Sequence, residues 1–188
     1  MNRFIFIAIL LLMWGQSSYI SAQNNKDVKL FEFEVGGGMT LGSNYGTLKL
    51  SPGVNAYLEA RTNLKDTLWD LGFQLGLGYM NRKDQYGTSY NVSNKFSMLA
   101  FADYNFRFWD KVAPFAGVGL GRTELIYNSP VDGSSAIYEQ KFSPVVLNPR
   151  IGIELFDHLR ITAEYKMHFH SKCNWFALNL GCVFGGGK

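Results

Sequence analysis

The sequence Lys29-Leu-Phe-Glu-Phe-Glu-Val-Gly-Gly-Gly-Met-Thr-Leu41 decides the fold of this chain. Its odd-numbered positions are mostly apolar, beginning with Phe31 and Phe33, whereas Glu32 and Glu34 occupy even-numbered positions. A β-strand sends successive side chains to opposite faces. The stretch therefore predicts a strand with one apolar face and one polar face.

The same alternation recurs seven more times along the chain. The predicted strands cover about 29–41, 53–62, 69–80, 95–108, 114–126, 145–155, 159–170 and 174–184. Alternating segments of about ten residues are typical of a membrane-spanning β-barrel. Beyond the N-terminal segment, no stretch has the length and apolar character of a transmembrane helix. The sequence thus predicts an all-β fold, an eight-stranded antiparallel up-and-down transmembrane β-barrel.

The N-terminus has the layout of a secretory signal. Arg3 supplies a positive charge, residues 4–14 are apolar, and small and polar residues follow as far as Ala22. These three parts together indicate a cleavable signal peptide. We expect a signal peptide at 1–22 and one outer-membrane barrel domain at 23–188, with its strands within about 29–184.

The composition agrees with this class of protein. The chain is 47% hydrophobic, contains 20 glycines and carries a net charge of +3 at pH 7. Strands that are apolar on one side only produce such a mixture. The chain has no basic tract, so we expect no nucleic-acid partner.

The two cysteines, Cys173 and Cys182, invite pairing because the protein is exported. If both lie on the last strand, however, nine residues at about 3.3 Å per residue separate them by roughly 30 Å. A disulfide tolerates a Cα separation of only about 7 Å. The sequence therefore predicts no bond between them.

Three features indicate that the apolar faces of the strands contact lipid outside the barrel. The alternative is that these faces form the core of a soluble lipocalin-like barrel. First, short predicted turns at 63–68, 109–113 and 156–158 alternate with long polar loops at 42–52, 81–94 and 127–142. Second, aromatic residues gather near both ends of the strands, with Trp69 and Phe156 at the short-turn end and Tyr79 and Trp175 at the other. Third, the polar faces combine glycines with charges of both signs and almost no lysine.

The charged residues on the polar faces are expected to point into the lumen. They are Glu32, Glu34, Glu59, Arg61, Asp103, Arg107, Arg150, Glu154, Arg160, Glu164 and Lys166. An eight-stranded barrel is barely wide enough for its own side chains, so opposite charges should neutralise one another as a structural network. A catalytic pair of carboxylates is the alternative interpretation.

Two positions conflict with regular strands. Pro149 lies inside the sixth predicted strand and removes a ladder hydrogen bond in a medium that supplies no water, so we expect a local irregularity there. The alternation of the fifth strand becomes uncertain at Arg122 and Glu124, where a bulge or the edge of the membrane can intervene.

His168 and His170 share one face of the seventh predicted strand, a spacing that can place two imidazoles on one metal ion. No recognised spacing ties a further ligand to them, so we expect ordinary histidines, no metal and no cofactor. The stretch from His168 to Ser171 also resembles the His-x-Ser pair of PagL-like lipid A deacylases. Here Ser171 directly follows His170 and would point to the opposite face, so an outer-membrane hydrolase remains only an alternative.

Taken from Lys29 to Phe184, the chain resembles the small OmpA/OmpX-like outer-membrane barrels of Gram-negative bacteria. The resemblance rests on strand count, loop asymmetry, the terminal aromatic strand Trp175 to Phe184 and the inward charges. It implies outer-membrane lipid and the barrel assembly machinery as partners, a monomeric barrel, and both termini in the periplasm. It also implies a structural or surface-interaction role, in which long outer loops bind an unidentified extracellular ligand.

Overall fold

The computed structural model describes residues 31–41, 44–45, 48–49, 51–64, 67–83, 89–106, 111–130, 137–169 and 173–185. The expected signal peptide lies outside this described part. The strands are β1 (Phe31–Leu41), β2 (Asn44–Tyr45), β3 (Leu48–Lys49), β4 (Gly53–Asn63), β5 (Trp69–Lys83), β6 (Ser89–Asn105), β7 (Val112–Pro130), β8 (Ile137–Phe142), β9 (Val145–Leu155), β10 (Leu159–His168) and β11 (Trp175–Phe184). Within these ranges, no helix has the length and apolar character needed to cross a membrane.

Eight of the described strands close into an antiparallel barrel, as the sequence predicted. The order is β6, β5, β4, β1, β11, β10, β9 and β7, and β7 pairs back onto β6. Following the registers once around the barrel from Phe31 leads to Leu41, a stagger of 41 − 31 = 10 residues. Closure leaves no open sheet edge in this region, so backbone groups pair internally without water.

The two faces of the barrel differ as the alternation predicted. Apolar side chains such as Leu71 and Leu77 are exposed on the outside, while the polar residues between them point inward and are buried. On β10, for example, Arg160 and Thr162 are buried whereas Ile161 is exposed. The polar filling of the lumen is the reverse of a soluble lipocalin-like barrel, whose interior must be apolar to hold its ligand.

Strands continue through two of the segments expected to be loops, which corrects the predicted boundaries. In segment 81–94, β5 extends to Lys83 and β6 begins at Ser89. In segment 127–142, β7 extends to Pro130 and pairs with β8. In β8, for example, Ile137, Glu139 and Lys141 occupy odd positions and Tyr138, Gln140 and Phe142 occupy even positions, so the alternation that marks a strand is absent while the ladder continues.

These extensions form what we call the raised sheet, which consists of residues 80–83, 89–94, 125–130 and 137–142. β5 pairs with β4 as far as Tyr79, and β7 pairs with β9 as far as Arg122. Beyond those points β5, β6, β7 and β8 pair only with one another. The part of β7 beyond Arg122 is eight residues long, or roughly 25 Å along the strand. In the remaining long connection, β2 and β3 form a small separate hairpin.

The irregularity expected near Arg122 and Glu124 lies on the neighbouring strand. Arg122 is exposed and Thr123 is buried, so the alternation of β7 continues through this point. The register of β6 shifts between Asn94 and Phe96 against β7, and a matching shift occurs against β5. β6 therefore contains the bulge, at the level where the raised sheet begins.

Pro149 interrupts one ladder and leaves the other intact. It pairs with Val118 of β7 in unbroken register. Towards β10, the paired residues pass from Glu164 with Arg150 to Met167 with Leu147, and Pro149 is skipped without a change of register. This gap confirms the predicted irregularity and limits it to one side of the strand.

The short connection between β9 and β10 is a tight turn, as expected. Phe156 and Asp157 have φ angles of 55° and 61°, and His158 donates its backbone N–H to the Leu155 carbonyl at 3.2 Å. Two successive left-handed residues match the twist of a hairpin, although most side chains adopt this conformation at a cost.

Two predictions about the last strand have different outcomes. Cys173 is buried, Cys182 is exposed and no disulfide joins them, as the strand geometry predicted. Trp175 does not lie at the membrane interface, because its side chain is only 1% exposed and points into the lumen. Trp175 is an even number of positions from the other inward residues of β11 and therefore shares their face. This placement outweighs the preference of tryptophan for an interface. Tyr79, by contrast, is exposed as expected.

Candidate functional site: the charged lumen

Arg61 lies at the centre of a group of buried charges near the short-turn end of the lumen. Its Nε donates to Glu32 Oε2 at 2.6 Å, and its Nη2 donates to Glu154 Oε2 at 3.1 Å. Its Nη1 donates to Glu34 Oε2 at 3.0 Å and to Glu59 Oε1 at 3.4 Å. One guanidinium group thus joins four carboxylates from three strands: the adjacent β1 and β4, and β9 across the lumen.

Arg150 and Arg160 extend this group across the lumen. Arg150 binds Asp103 through two contacts, Nε to Oδ1 at 2.8 Å and Nη2 to Oδ2 at 2.5 Å. It also binds both carboxylate oxygens of Glu59, at 2.7 and 3.1 Å. Arg160 Nη2 donates to Asp103 Oδ2 at 2.7 Å, and its Nη1 lies 3.8 Å from Glu34 Oε2. Such two-point contacts fix both geometry and charge.

We call this connected set the charge network. Its members are Glu32, Glu34, Glu59, Arg61, Asp103, Arg150, Glu154 and Arg160. It contains five carboxylates and three guanidinium groups, so each guanidinium serves more than one carboxylate. Of the other lumen charges expected from the sequence, Glu164 and Lys166 pair separately at 3.2 Å, while Arg107 lies outside the described residues.

Two buried phenylalanines that sequence reasoning did not single out complete the network. The Arg150 guanidinium carbon lies 3.6 Å from the centre of the Phe101 ring, and that of Arg160 lies 3.6 Å from the Phe115 ring. Aromatic faces attract cations, most strongly where water is excluded. The available signal was position, because both phenylalanines fall on the inward parity of their strands.

Further neutral groups satisfy the buried carboxylates. Tyr57 donates its hydroxyl to Glu34 Oε1 at 2.6 Å, and Gln74 Nε2 donates to Glu59 Oε2 at 3.1 Å. Asn148 Nδ2 donates to Glu164 Oε2 at 2.9 Å. Every carboxylate of the charge network therefore has at least one charged partner, and Glu34 and Glu59 each have an additional neutral donor.

Farther from the short turns, the lumen contains a set of uncharged side chains that we call the neutral layer. It comprises Thr40, Asn94, Ser97, Thr123, Asn148 and Asn179. Each has a buried side-chain oxygen or nitrogen without a hydrogen-bond partner. Buried polar atoms of native proteins are nearly always paired. In the charge network every carboxylate is bound by arginine, although Arg160 Nε and Nη1 have no hydrogen-bond partner.

An apolar cluster closes the lumen above the neutral layer. This apolar cap consists of Met80, Leu125, Cys173 and Trp175. The ring of His168 packs against Trp175, with centroids 4.1 Å apart. His170, the second histidine of the expected pair, lies outside the described residues. Within the described part, no three His, Cys, Asp or Glu side chains are grouped so as to hold a metal ion.

The inward glycines of β7 differ in the space beside them. A Cβ on Gly117 would meet the Asp103 carboxylate and would lie 2.6 Å from the Ala102 carbonyl oxygen. A Cβ on Gly119 would have its nearest neighbours at 3.5 Å, an ordinary contact distance. The wall is therefore closely packed at Gly117 and has room for a methyl group at Gly119. At Gly121, the next inward glycine, a Cβ would again be too close, because it would meet the Met98 carbonyl oxygen.

Comparison with known proteins also indicates an outer-membrane β-barrel. A family model described as "Outer membrane protein beta-barrel domain" matches residues 7–179. No curated protein sequence matches the chain.

Two solved structures share the fold. Neisserial surface protein A, from Neisseria, has a TM-score of 0.53 and 16% identity over 85% of this chain and 99% of its own. The attachment invasion locus protein Ail of Yersinia pestis, solved with the heparin analogue sucrose octasulfate, has a TM-score of 0.52 and 16% identity over 82% of this chain and 99% of its own. At this identity the likeness concerns the fold alone.

Proposed function

Because the chain belongs to the family of outer membrane protein β-barrel domains, we propose that it serves as a membrane-anchored surface-interaction protein without enzymatic activity. It is an integral β-barrel of the outer membrane, and its exposed apolar face lies in lipid. The proposed interaction is carried by the end of the barrel with long connections. In OmpA/OmpX-like barrels the short turns face the periplasm, and by the same orientation we propose that the raised sheet lies outside the cell.

The raised sheet is the observation that supports this role most directly. In the described part of the chain, β7 and β8 pair over six residues beyond the barrel. Glu139, Gln140 and Lys141 are consecutive and all exposed, so both faces of this hairpin are accessible. A hydrogen-bonded sheet on a rigid anchor is suited to recognition, because little order must be gained on binding.

The charge network supports the non-enzymatic part of the proposal. A catalytic carboxylate needs access to substrate and a suitable protonation state. All five carboxylates of the charge network instead bind arginine and lie within the lumen. We propose that the network is structural, and that it holds the barrel wall together from inside.

The remaining partners follow from the same assignment. We propose that the barrel assembly machinery recognises β11, which ends on the exposed side chain of Phe184. We further propose that the barrel is a monomer within its own membrane. Ail was solved with a heparin analogue, so sulfated polysaccharide is the first extracellular ligand to test.

A hairpin deletion tests the proposed function. Residues 126–141 are replaced by Asn-Gly, which favours a two-residue turn and joins the cross-strand partners Leu125 and Phe142. Cells that produce the full chain should attach to surfaces coated with heparin or extracellular-matrix protein, and cells that produce the shortened chain should not. Heat-dependent gel mobility establishes that both barrels are folded.

The matched control is Lys111→Glu, which changes an exposed charge at the short-turn end. This variant should attach as the full chain does. Equal attachment of the full and shortened chains on every surface would contradict the proposed role of the raised sheet.

A further inference from the structure

β8 forms one edge of the sheet that the described strands build. Its residues pair with β7 from Phe142 opposite Leu125 to Ile137 opposite Pro130. Among the described residues, β7 is its only strand partner. An open edge exposes unpaired backbone N–H and C=O groups, which is a template for a further strand.

The charges along this edge do not protect it from a second copy of itself. Natural edge strands often avoid self-pairing through an unbalanced charge, commonly a lysine. Here Lys141 Nζ lies 3.1 Å from Glu139 Oε1, and the two side chains are 60% and 49% exposed. The edge therefore has one charge of each sign on the same face of the strand.

An antiparallel pair of β8 strands centred on Gln140 would be self-complementary. In that register, Glu139 of each copy lies opposite Lys141 of the other. Cross-strand pairs of opposite charge are favourable, whereas like charges in those positions are unfavourable. The interface is of the two-fold kind in which one patch binds an identical patch.

The direction of β8 determines where the second copy must be. β8 runs towards the membrane and continues through residues 143–144 into β9. Two copies in one membrane are related by an axis along its normal, so both β8 strands would run towards that membrane. With strands tilted by about 35–45°, they would cross at about 90° at most and cannot pair antiparallel. Copies in two facing membranes are related by an axis parallel to the membranes, which permits the pairing.

We propose that the open edge of β8 pairs with β8 of a second copy in a facing membrane, so that the protein joins two cells that both produce it. This inference rests on the proposed exposure of the raised sheet and names a partner for it. The barrel stays a monomer in its own membrane, and the contact forms only between membranes.

Vesicles that contain the full chain test the proposal through charge complementation. Wild-type vesicles should cluster, with a severalfold increase in mean particle size by light scattering. Glu139→Lys vesicles should remain dispersed because lysines would face lysines, and Lys141→Glu vesicles should remain dispersed because glutamates would face glutamates. A mixture of the two variants should cluster, because a chain with two lysines then faces a chain with two glutamates.

Vesicles with the hairpin deletion give the dispersed baseline, and Lys111→Glu vesicles should cluster as the wild type does. Labelling the two variants in different colours shows whether mixed clusters contain both. Dispersed wild-type vesicles, clustering of either variant alone, or a dispersed mixture would each overturn the proposal. Cells that attach to coated surfaces through the hairpin while their vesicles remain dispersed would retain the proposed function and exclude this partner.

Discussion

The charge network and the neutral layer occupy the same barrel, but they solve the problem of burying polar groups in different ways. In the charge network, Arg61 alone contacts four carboxylates, and the space beside Gly117 is filled. In the neutral layer, Ser97 and Thr123 are fully buried and their hydroxyl oxygens have no partner. The comparison indicates that charged contacts hold the level near the short turns, whereas the level above it is filled by uncharged side chains with unpaired polar atoms.

Arg61→Gln should have the largest effect on stability. Removal of the guanidinium leaves Glu32, Glu34 and Glu154 buried without their nearest charged partner, which costs about 3–5 kcal/mol for a broken buried pair. Urea unfolding of the protein in detergent, followed by the heat-dependent mobility shift, measures the loss. Arg122→Gln removes an exposed arginine and is the control. A loss below about 1 kcal/mol, typical of an ordinary surface change, would show that the network contributes little.

Gln74→Met and Thr123→Val should change the free energy of unfolding in opposite directions. Gln74 donates to Glu59, so its loss removes a hydrogen bond to a charged group and should cost about 1.5–3 kcal/mol. Thr123→Val removes an unpaired buried hydroxyl at nearly constant volume and should stabilise the barrel by about 1 kcal/mol. The same unfolding assay compares the two. Destabilisation by Thr123→Val would indicate that the hydroxyl binds an ordered water molecule and that the neutral layer is hydrated.

Two alanine substitutions on β7 sharpen the comparison of packing. Gly117→Ala forces a methyl group against the Ala102 carbonyl oxygen and should cost about 1–3 kcal/mol through overpacking. Gly119→Ala places the methyl group at ordinary contact distance and should gain about 0.4–1 kcal/mol, because the unfolded chain loses freedom. Each variant is the control for the other, and equal effects would contradict the difference in packing between the two positions.

The smallest expected signal is ionic conductance, which should be absent. Eight strands leave an interior that side chains fill, and the charge network crosses it. Planar-bilayer recording of the purified protein measures any current directly. Reproducible conductance steps whose size changes in Arg150→Ala would reveal an aqueous channel and would favour transport over surface interaction.

The sequence alone predicted the barrel and the faces of its strands, because alternation is a local property. It placed Arg150 and Glu59 inside correctly, but these bonded residues are 91 positions apart, and periodicity carries no information on partners across the lumen. Trp175 was assigned to the membrane interface on residue type, whereas its position on β11 directs it inward. β8 was missed because its apolar residues fall on both odd and even positions and do not alternate with polar ones.

The pairing of β1 with β11 has a consequence for folding speed. Phe33 pairs with Phe184, so the seam of the barrel joins nearly the first and the last residues of the described strands. The chain must lose much of its conformational entropy before contacts so distant in sequence can form. Folding rates therefore fall as the average sequence separation of contacts rises. Until β11 pairs with β1, one edge of β1 remains unpaired and the barrel stays open. The seam makes closure a late, cooperative event, and the nascent chain must be kept from aggregating for the whole interval before it.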